Sequence, residues 1–289
     1  MADYYLREDF AAACPFSIAG AGSLLEWARG VASRARSEDI YRDKEGRKTL
    51  RFKQGGCSYF LKLHSGVGWV EIVKNLLQAR LPVVDASNEY RAVRALQRIG
   101  VDTLSVAAYA RSGYNPASTQ SVIVTDDLVG TISLEDYCAG WAEAPPDPRI
   151  RLRLILKLAD SARRMHAAGI NHRDFYICHF HLDEPSLKAG SLRCYLIDLH
   201  RAQLRRRTPR RWQVKDLGGL YFSAMDCGLT NRDLLRFMRH YSAGGLREAL
   251  GDSADLWRQV ARRARQLYRK GHGAEPPSPG GGQTHSHGV

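Results

Sequence analysis

A lysine stands in the middle of an apolar strand. In Tyr59-Phe60-Leu61-Lys62-Leu63 the alternation of a half-buried strand carries an ammonium into apolar surroundings, where an unpaired charge is costly. The fold must therefore bring a carboxylate to it from another element. Glu89 meets that need, because it shares the apolar face of Ala92, Val93, Leu96 and Ile99 on a helix that Ser87 or Asn88 can cap and Gly100 stops. Such a chain has to build a sheet with a helix laid against it.

The neighbouring pattern agrees. Apolar alternation over Thr49 to Phe52 and Tyr59 to Leu63, around Gly55-Gly56, predicts a hairpin, and Thr103 to Ala108 and Ser121 to Thr125 read as further strands. Trp69, Ile72, Val73, Leu76 and Leu77 recur at helical spacing, which predicts a helix turned to the core. Beyond about residue 130 long helical patterns take over. Asp147 and Pro148 suit the start of a helix running to Gly169, and others are expected over 216–225, 230–241 and 253–270. The expected divisions are an N-terminal extension (1–40), a small lobe (41–128), a helical lobe (129–271) and a Gly/Pro/Ser-rich tail (272–289) without core-forming capacity. With 289 residues and 44% hydrophobic composition the chain can fill two cores, and wholesale disorder is excluded.

Two carboxylates belong to the helical lobe. His172-Arg173-Asp174 forms a loop after the Gly169 helix stop, and the strand-like Cys194-Tyr195-Leu196-Ile197 delivers Asp198 at its end. Phosphoryl transfer needs this division of labour, with one carboxylate taking the proton of the attacking hydroxyl and another holding magnesium against the phosphates. Strand lysine, helix glutamate, HRD aspartate and strand-end aspartate follow one another in kinase order. The expected fold is α+β and protein-kinase-like, with a small antiparallel-sheet lobe and a helical lobe. Gly55-Gly56 is the candidate remnant of a glycine-rich phosphate loop. Where protein kinases carry a second metal-binding asparagine this chain has His179, with His181 or Asp183 as alternatives, and His200 follows Asp198-Leu199. A zinc site at His172, Cys178, His179 and His181 is disfavoured, since no second spaced ligand pair exists.

Longer strings are more specific than the generic motif. Gly169 through Phe180, Ile197-Asp198-Leu199-His200-Arg201-Ala202-Gln203, Arg211-Trp212-Gln213-Val214-Lys215-Asp216-Leu217 and Tyr59 through His64 resemble the lipopolysaccharide core heptose kinases, over about residues 40 to 270. The resemblance implies an ATP- and magnesium-dependent kinase that phosphorylates a heptose, the first, of the inner core on lipid A at the cytoplasmic face of the inner membrane. It implies Asp174 as base with Arg173 and His172 in its loop, Lys62 on the nucleotide phosphates, Glu89 positioning Lys62, and Asp198 on magnesium. Asp216 resembles the aspartate that anchors the catalytic loop of kinase folds.

A formal net charge of +13 points to an anionic partner. Arg201, Arg205, Arg206, Arg207, Arg210 and Arg211 are expected to grip the acidic glycolipid or the bilayer surface, and an acidic protein such as an acyl carrier protein is a further candidate. Nucleic acid is not, because no aromatic-rich basic strand pattern is present. Six cysteines without a Cys-x-x-Cys pair read as reduced thiols. With no stretch of roughly 20 apolar residues and no signal-like start, the expected location is cytoplasmic and peripheral to the membrane. Alternative readings are a kinase acting on a 3-deoxy-octulosonate sugar or a protein hydroxyl, and a non-catalytic basic binding module.

Overall fold

The computed structural model describes residues 3–14, 18–44, 46–66, 68–77 and 85–280. The chain divides into two compact units, the first comprising 1–95, 104–129 and 199–201, the second 96–103, 130–198 and 202–289.

The first unit holds β1 (Tyr4–Leu6), α1 (Glu8–Ala13), α2 (Ala21–Arg34), β2 (Ile40–Lys44), β3 (Arg47–Gln54), β4 (Cys57–His64), α3 (Gly68–Leu77), the greater part of α4 (Ser87–Arg98), β5 (Val106–Ser112) and β6 (Gln120–Asp126). Its strands form one antiparallel sheet in the order β1-β5-β6-β4-β3-β2. The N-terminal forty residues take part in it: β1 pairs with β5, and Phe10, Leu24, Leu25 and Trp27 are buried with Leu50, Tyr59 and Leu61. The predicted hairpin around Gly55-Gly56 is present, both glycines having positive φ. Thr103 lies outside β5 and instead bridges Leu196 in the second unit, where its hydroxyl donates to the Leu196 carbonyl at 2.6 Å.

α3 forms where its periodicity predicts, but not with the expected face inward. Trp69, Val73 and Leu77 are 57%, 50% and 83% exposed, so the core-facing expectation fails for these three. The side chains of Ile72 and Leu76 lie outside the described residues.

The second unit contains β7 (Thr131–Ser133), α5 (Leu134–Cys138), α6 (Pro148–Ala167), β8 (Ile170–Asn171), β9 (Phe180–Asp183), α7 (Glu184–Lys188), β10 (Cys194–Leu196), β11 (Gln203–Leu204), α8 (Arg210–Ser223), α9 (Asn231–Tyr241), α10 (Gly245–Leu250) and α11 (Ala254–His272). Asp147 caps α6 by accepting from Arg149 N at 2.6 Å, with Pro148 in the first turn, and Thr230 with Asp233 forms a capping box on α9. Short strands interrupt the helices, in the sheets β10-β9-β7 and β11-β8. α8 begins at Arg210, so Asp216 sits within a helix rather than at its start. Of the expected tail, His272 still belongs to α11, and residues 281–289 lie outside the described set. No helix among the described residues is long and apolar enough to cross a membrane.

Candidate active site

In the first unit Lys62 has the carboxylate its strand demands. Its Nζ lies 2.6 Å from Glu89 Oε1, and the glutamate is 1% exposed. α4 is held where it can offer that carboxylate: Asn88 Nδ2 donates to the His200 carbonyl at 2.8 Å, while Asp85 accepts from Ser87 N just ahead of the helix. Lys62 pairs with Thr49 on β3. Three residues from Thr49 is the β2–β3 turn with Gly46, roughly 10 Å along the strand, whereas Gly55 is six residues away, roughly 20 Å. A Cβ on Gly55 would meet the Ala13 Cβ at 2.7 Å, and one on Gly46 would meet the Gly66 carbonyl at 2.3 Å, so both turns are closely packed and only the register separates them. The register therefore does not bring Gly55 and Gly56 to Lys62; the turn at Gly46 is the nearer one.

In the second unit one buried carboxylate organises the HRD loop. Asp216, 0% exposed, accepts from the backbone N–H of His172 at 2.7 Å and of Arg173 at 2.8 Å. Two oxygens thus satisfy two consecutive donors, which holds Arg173 at φ 79, a left-handed conformation unfavourable for arginine. His166 Nε2 adds a longer contact to the same carboxylate at 3.4 Å, and its Nδ1 meets the Tyr241 hydroxyl at 2.8 Å. Burial pushes the Tyr241 hydroxyl pKa up, so it stays protonated and donates. Asp174 follows, half-buried, presented by the clamped loop.

His172 joins the two acidic segments. Its Nε2 donates to the Ile197 carbonyl at 2.9 Å, next to Asp198, and burial lowers its pKa, which Asp216 partly opposes. The ring is therefore a neutral packing piece. Asp198 itself is the second non-glycine residue with positive φ, at 61. His179 Nδ1 donates to the Asp174 carbonyl at 2.6 Å and its Nε2 lies 3.6 Å from Asp198 Oδ2. Burial pushes the His179 pKa down, but hydrogen bonds to Cys178 and to the Asp174 carbonyl, with the Asp198 charge, outweigh this and raise it to about 9. Asp174, His179 and Asp198 thus form one connected group.

Magnesium takes oxygen ligands, so the carboxylate of Asp198 fits it and the ring nitrogen of His179 does not. Among the described residues no cluster of three or more His, Cys, Asp or Glu is arranged to hold a metal by itself.

The arginine run is not uniform. Arg201 belongs to the first unit and the other five to the second. Arg206 and Arg207 are exposed, Arg210 lies 3.8 Å from Asp255, and Arg205 donates to Asn171 Oδ1 at 2.5 Å and to Gln203 Oε1 at 2.6 Å. The sequence reading passed over Trp212, His166 and Tyr241; an indole inside an arginine run was the available signal for the first. The second unit also contains a partly open apolar pocket of about 180 Å³, bordered by Cys138, Trp141, Leu154, Leu217, Phe237 and Trp257.

A family model described as the lipopolysaccharide kinase (Kdo/WaaP) family matches residues 31–241. The chain belongs to that family. Among curated relatives of this lipopolysaccharide kinase, the lipopolysaccharide core heptose(I) kinase WaaP of Escherichia coli is 51% identical over 233 residues, covering 80% of this chain and 88% of its own length. WaaP of Pseudomonas aeruginosa is 49% identical, with 80% and 87% covered. A solved structure titled "WaaP in complex with acyl carrier protein" matches at TM-score 0.76 and 39% identity, covering 92% of this chain and 99% of that one. The resemblance drawn from the motifs and the protein-kinase-like α+β fold are both borne out.

Proposed function

We propose that this lipopolysaccharide kinase transfers the γ-phosphoryl group of ATP to a hydroxyl of the first heptose of the inner core. The observation that carries the reading is the 2.6 Å pair of Lys62 with buried Glu89, which keeps an ammonium in place for nucleotide phosphates, as kinase chemistry requires. Three curated relatives at 48–51% identity carry the heptose(I) kinase name, and they supply the acceptor.

In this reading Asp174 orients the heptose hydroxyl and takes its proton as the new O–P bond forms and the bond to the β-phosphate oxygen breaks, releasing ADP. Asp198 offers oxygens for magnesium, which when bound neutralises phosphate charge. Asp216 holds Asp174 in place through His172 and Arg173, Glu89 positions Lys62, and the Gly46 turn takes over the phosphate-loop role first assigned to Gly55-Gly56. The acceptor is a lipid A-core glycolipid met at the cytoplasmic face of the inner membrane, with exposed Arg206 and Arg207 toward its charged surface. An acidic acyl carrier protein suits the net charge of +13.

The test is mass spectrometry of lipopolysaccharide from cells lacking the protein, complemented with wild type or Asp174→Ala. Loss of one inner-core phosphate, restored only by wild type, is the expected result. An unchanged phosphate count rejects the heptose assignment, and a phosphorylated 3-deoxy-octulosonate sugar in its place identifies the alternative acceptor. Native mass spectrometry of the purified chain checks the protein partner: a folded, active chain that never carries an acidic companion removes it.

A further inference from the structure

Four cations converge on one indole ring in the second unit. The guanidinium carbons of Arg173, Arg205 and Arg211 lie 5.3, 5.6 and 5.4 Å from the Trp212 ring centroid, and Lys215 Nζ lies at 5.5 Å. Points this close to a common centre are at most about 11 Å apart, so four positive groups share one small region of the surface. The face of an indole attracts cations, which explains how they are gathered. It does not neutralise them.

For two of the four, Arg205 and Arg211, no acid is at hand. Among the described residues no carboxylate lies within 4 Å of Arg205 or Arg211, and the oxygens that accept from Arg205 belong to the neutral amides of Asn171 and Gln203. Asp216, the next acid along α8, is buried and spends its oxygens on backbone N–H groups. Arg205 is also braced from behind, because its own N–H donates to the Gly169 carbonyl at 2.9 Å. Its guanidinium is thus pre-oriented by two amides and a ring, the kind of arrangement that recognises planar oxyanions.

The location gives the cluster its meaning. Arg173 immediately precedes Asp174 and Lys215 immediately precedes Asp216, so the positive group is built from the same loop and helix that present the catalytic base. We propose that the Trp212 cluster is a subsite for an oxyanion of the acceptor glycolipid, a carboxylate or phosphate on a sugar next to the reacting heptose, and that it fixes which hydroxyl reaches Asp174. This rests on the heptose-kinase reading given above. The site separates the arginine run into two jobs, with Arg205 and Arg211 holding substrate and Arg206 and Arg207 facing solvent.

The experiment is steady-state kinetics of the full chain on purified acceptor glycolipid, comparing wild type, Arg211→Gln, Arg211→Lys, Lys215→Gln, and Arg262→Gln as an exposed cation on α11 outside the cluster. Arg211→Gln and Lys215→Gln should raise the acceptor KM at least about tenfold, as loss of one charge-assisted contact does, with a smaller change in kcat and in the KM for ATP. Arg211→Lys should recover part of the loss, and Arg262→Gln should match wild type. Acceptor whose carboxylates are amidated, and acceptor treated with phosphatase, then distinguish the two anion sources. Whichever treatment weakens wild type should leave Arg211→Gln no weaker than before. Thermal unfolding of each variant guards against misfolding, and if Arg211→Gln is too unstable to assay, the treated acceptors on wild type decide alone. An unchanged acceptor KM in folded Arg211→Gln and Lys215→Gln, or wild type indifferent to both treatments, overturns the subsite. Wild type that phosphorylates no heptose at all overturns the functional reading instead.

Discussion

Asp216→Asn tests how the catalytic loop is held. The carboxylate accepts two backbone N–H groups at 2.7 and 2.8 Å inside a site with 0% exposure. An amide of the same shape keeps one oxygen and turns an NH2 toward the other N–H, so one bond is lost and two donors face each other without water. A hydrogen bond to a charged group contributes about 1.5–3 kcal/mol, and leaving a buried donor unsatisfied costs about 1–3 kcal/mol, which together give a loss of about 3–5 kcal/mol. Against a total of about 5–15 kcal/mol that is severe, and for a unit of this size it lowers Tm by roughly 10 °C. The clamp also sets the position of Asp174, and a displacement of about 1 Å at a reacting group costs about 100-fold in rate. Thermal unfolding and kcat on the same preparation measure both. A variant within about 1 kcal/mol of wild type that keeps its kcat would show that the loop is held by something other than this carboxylate, and the argument would fail.

Lys62→Ala should lower kcat/KM by roughly 100-fold or more and destabilise the first unit by about 3–5 kcal/mol, because it leaves Glu89 buried and unpaired. Lys62→Met combined with Glu89→Leu should regain the stability in urea unfolding without the activity. Gly169→Ala should be among the most damaging single changes, since a Cβ there would lie 1.9 Å from the Arg205 carbonyl at φ +78; low soluble yield and a lowered Tm are its readouts. Burial, with Arg47 beside it, pushes the His64 imidazole down to about 4. The unfolded chain therefore takes up that proton first on acidification. The stability His64 contributes is fully present above about pH 6.5 and is lost as pH falls toward 4, by at most about 3 kcal/mol. Urea midpoints at pH 7 and 4.5 should differ less for His64→Leu than for wild type.

The parts of the site legible in the sequence are those where a local conflict demands a distant partner. Lys62 in an apolar strand announces Glu89, and a strand ending in Asp198 announces an acid at a loop. Contacts set by register were less visible. Two adjacent glycines at 55 and 56 looked like a phosphate loop, yet pairing places the Gly46 turn nearer Lys62. α8 was expected over 216–225, yet it begins at Arg210 and carries Gly218 and Gly219 in its interior. Those glycines are where close packing is needed: a Cβ on Gly218 would lie 2.7 Å from the Arg263 side chain, and one on Gly219 would lie 3.1 Å from the Phe175 carbonyl. His166 reaches Asp216 across 50 residues of sequence and Tyr241 across 75, links that no periodicity encodes.

Among the described residues the positive-φ positions other than glycine are Arg173 and Asp198, one beside the proposed base and the other the proposed magnesium ligand. Each such residue costs of the order of 1–3 kcal/mol, and glycine would adopt the same geometry without that penalty. Selection for heat resistance alone would therefore favour glycine at 173 and 198, and under the roles proposed above the sturdier protein would lose phosphate transfer. In this chain, ranking variants by melting temperature would discard the working enzyme.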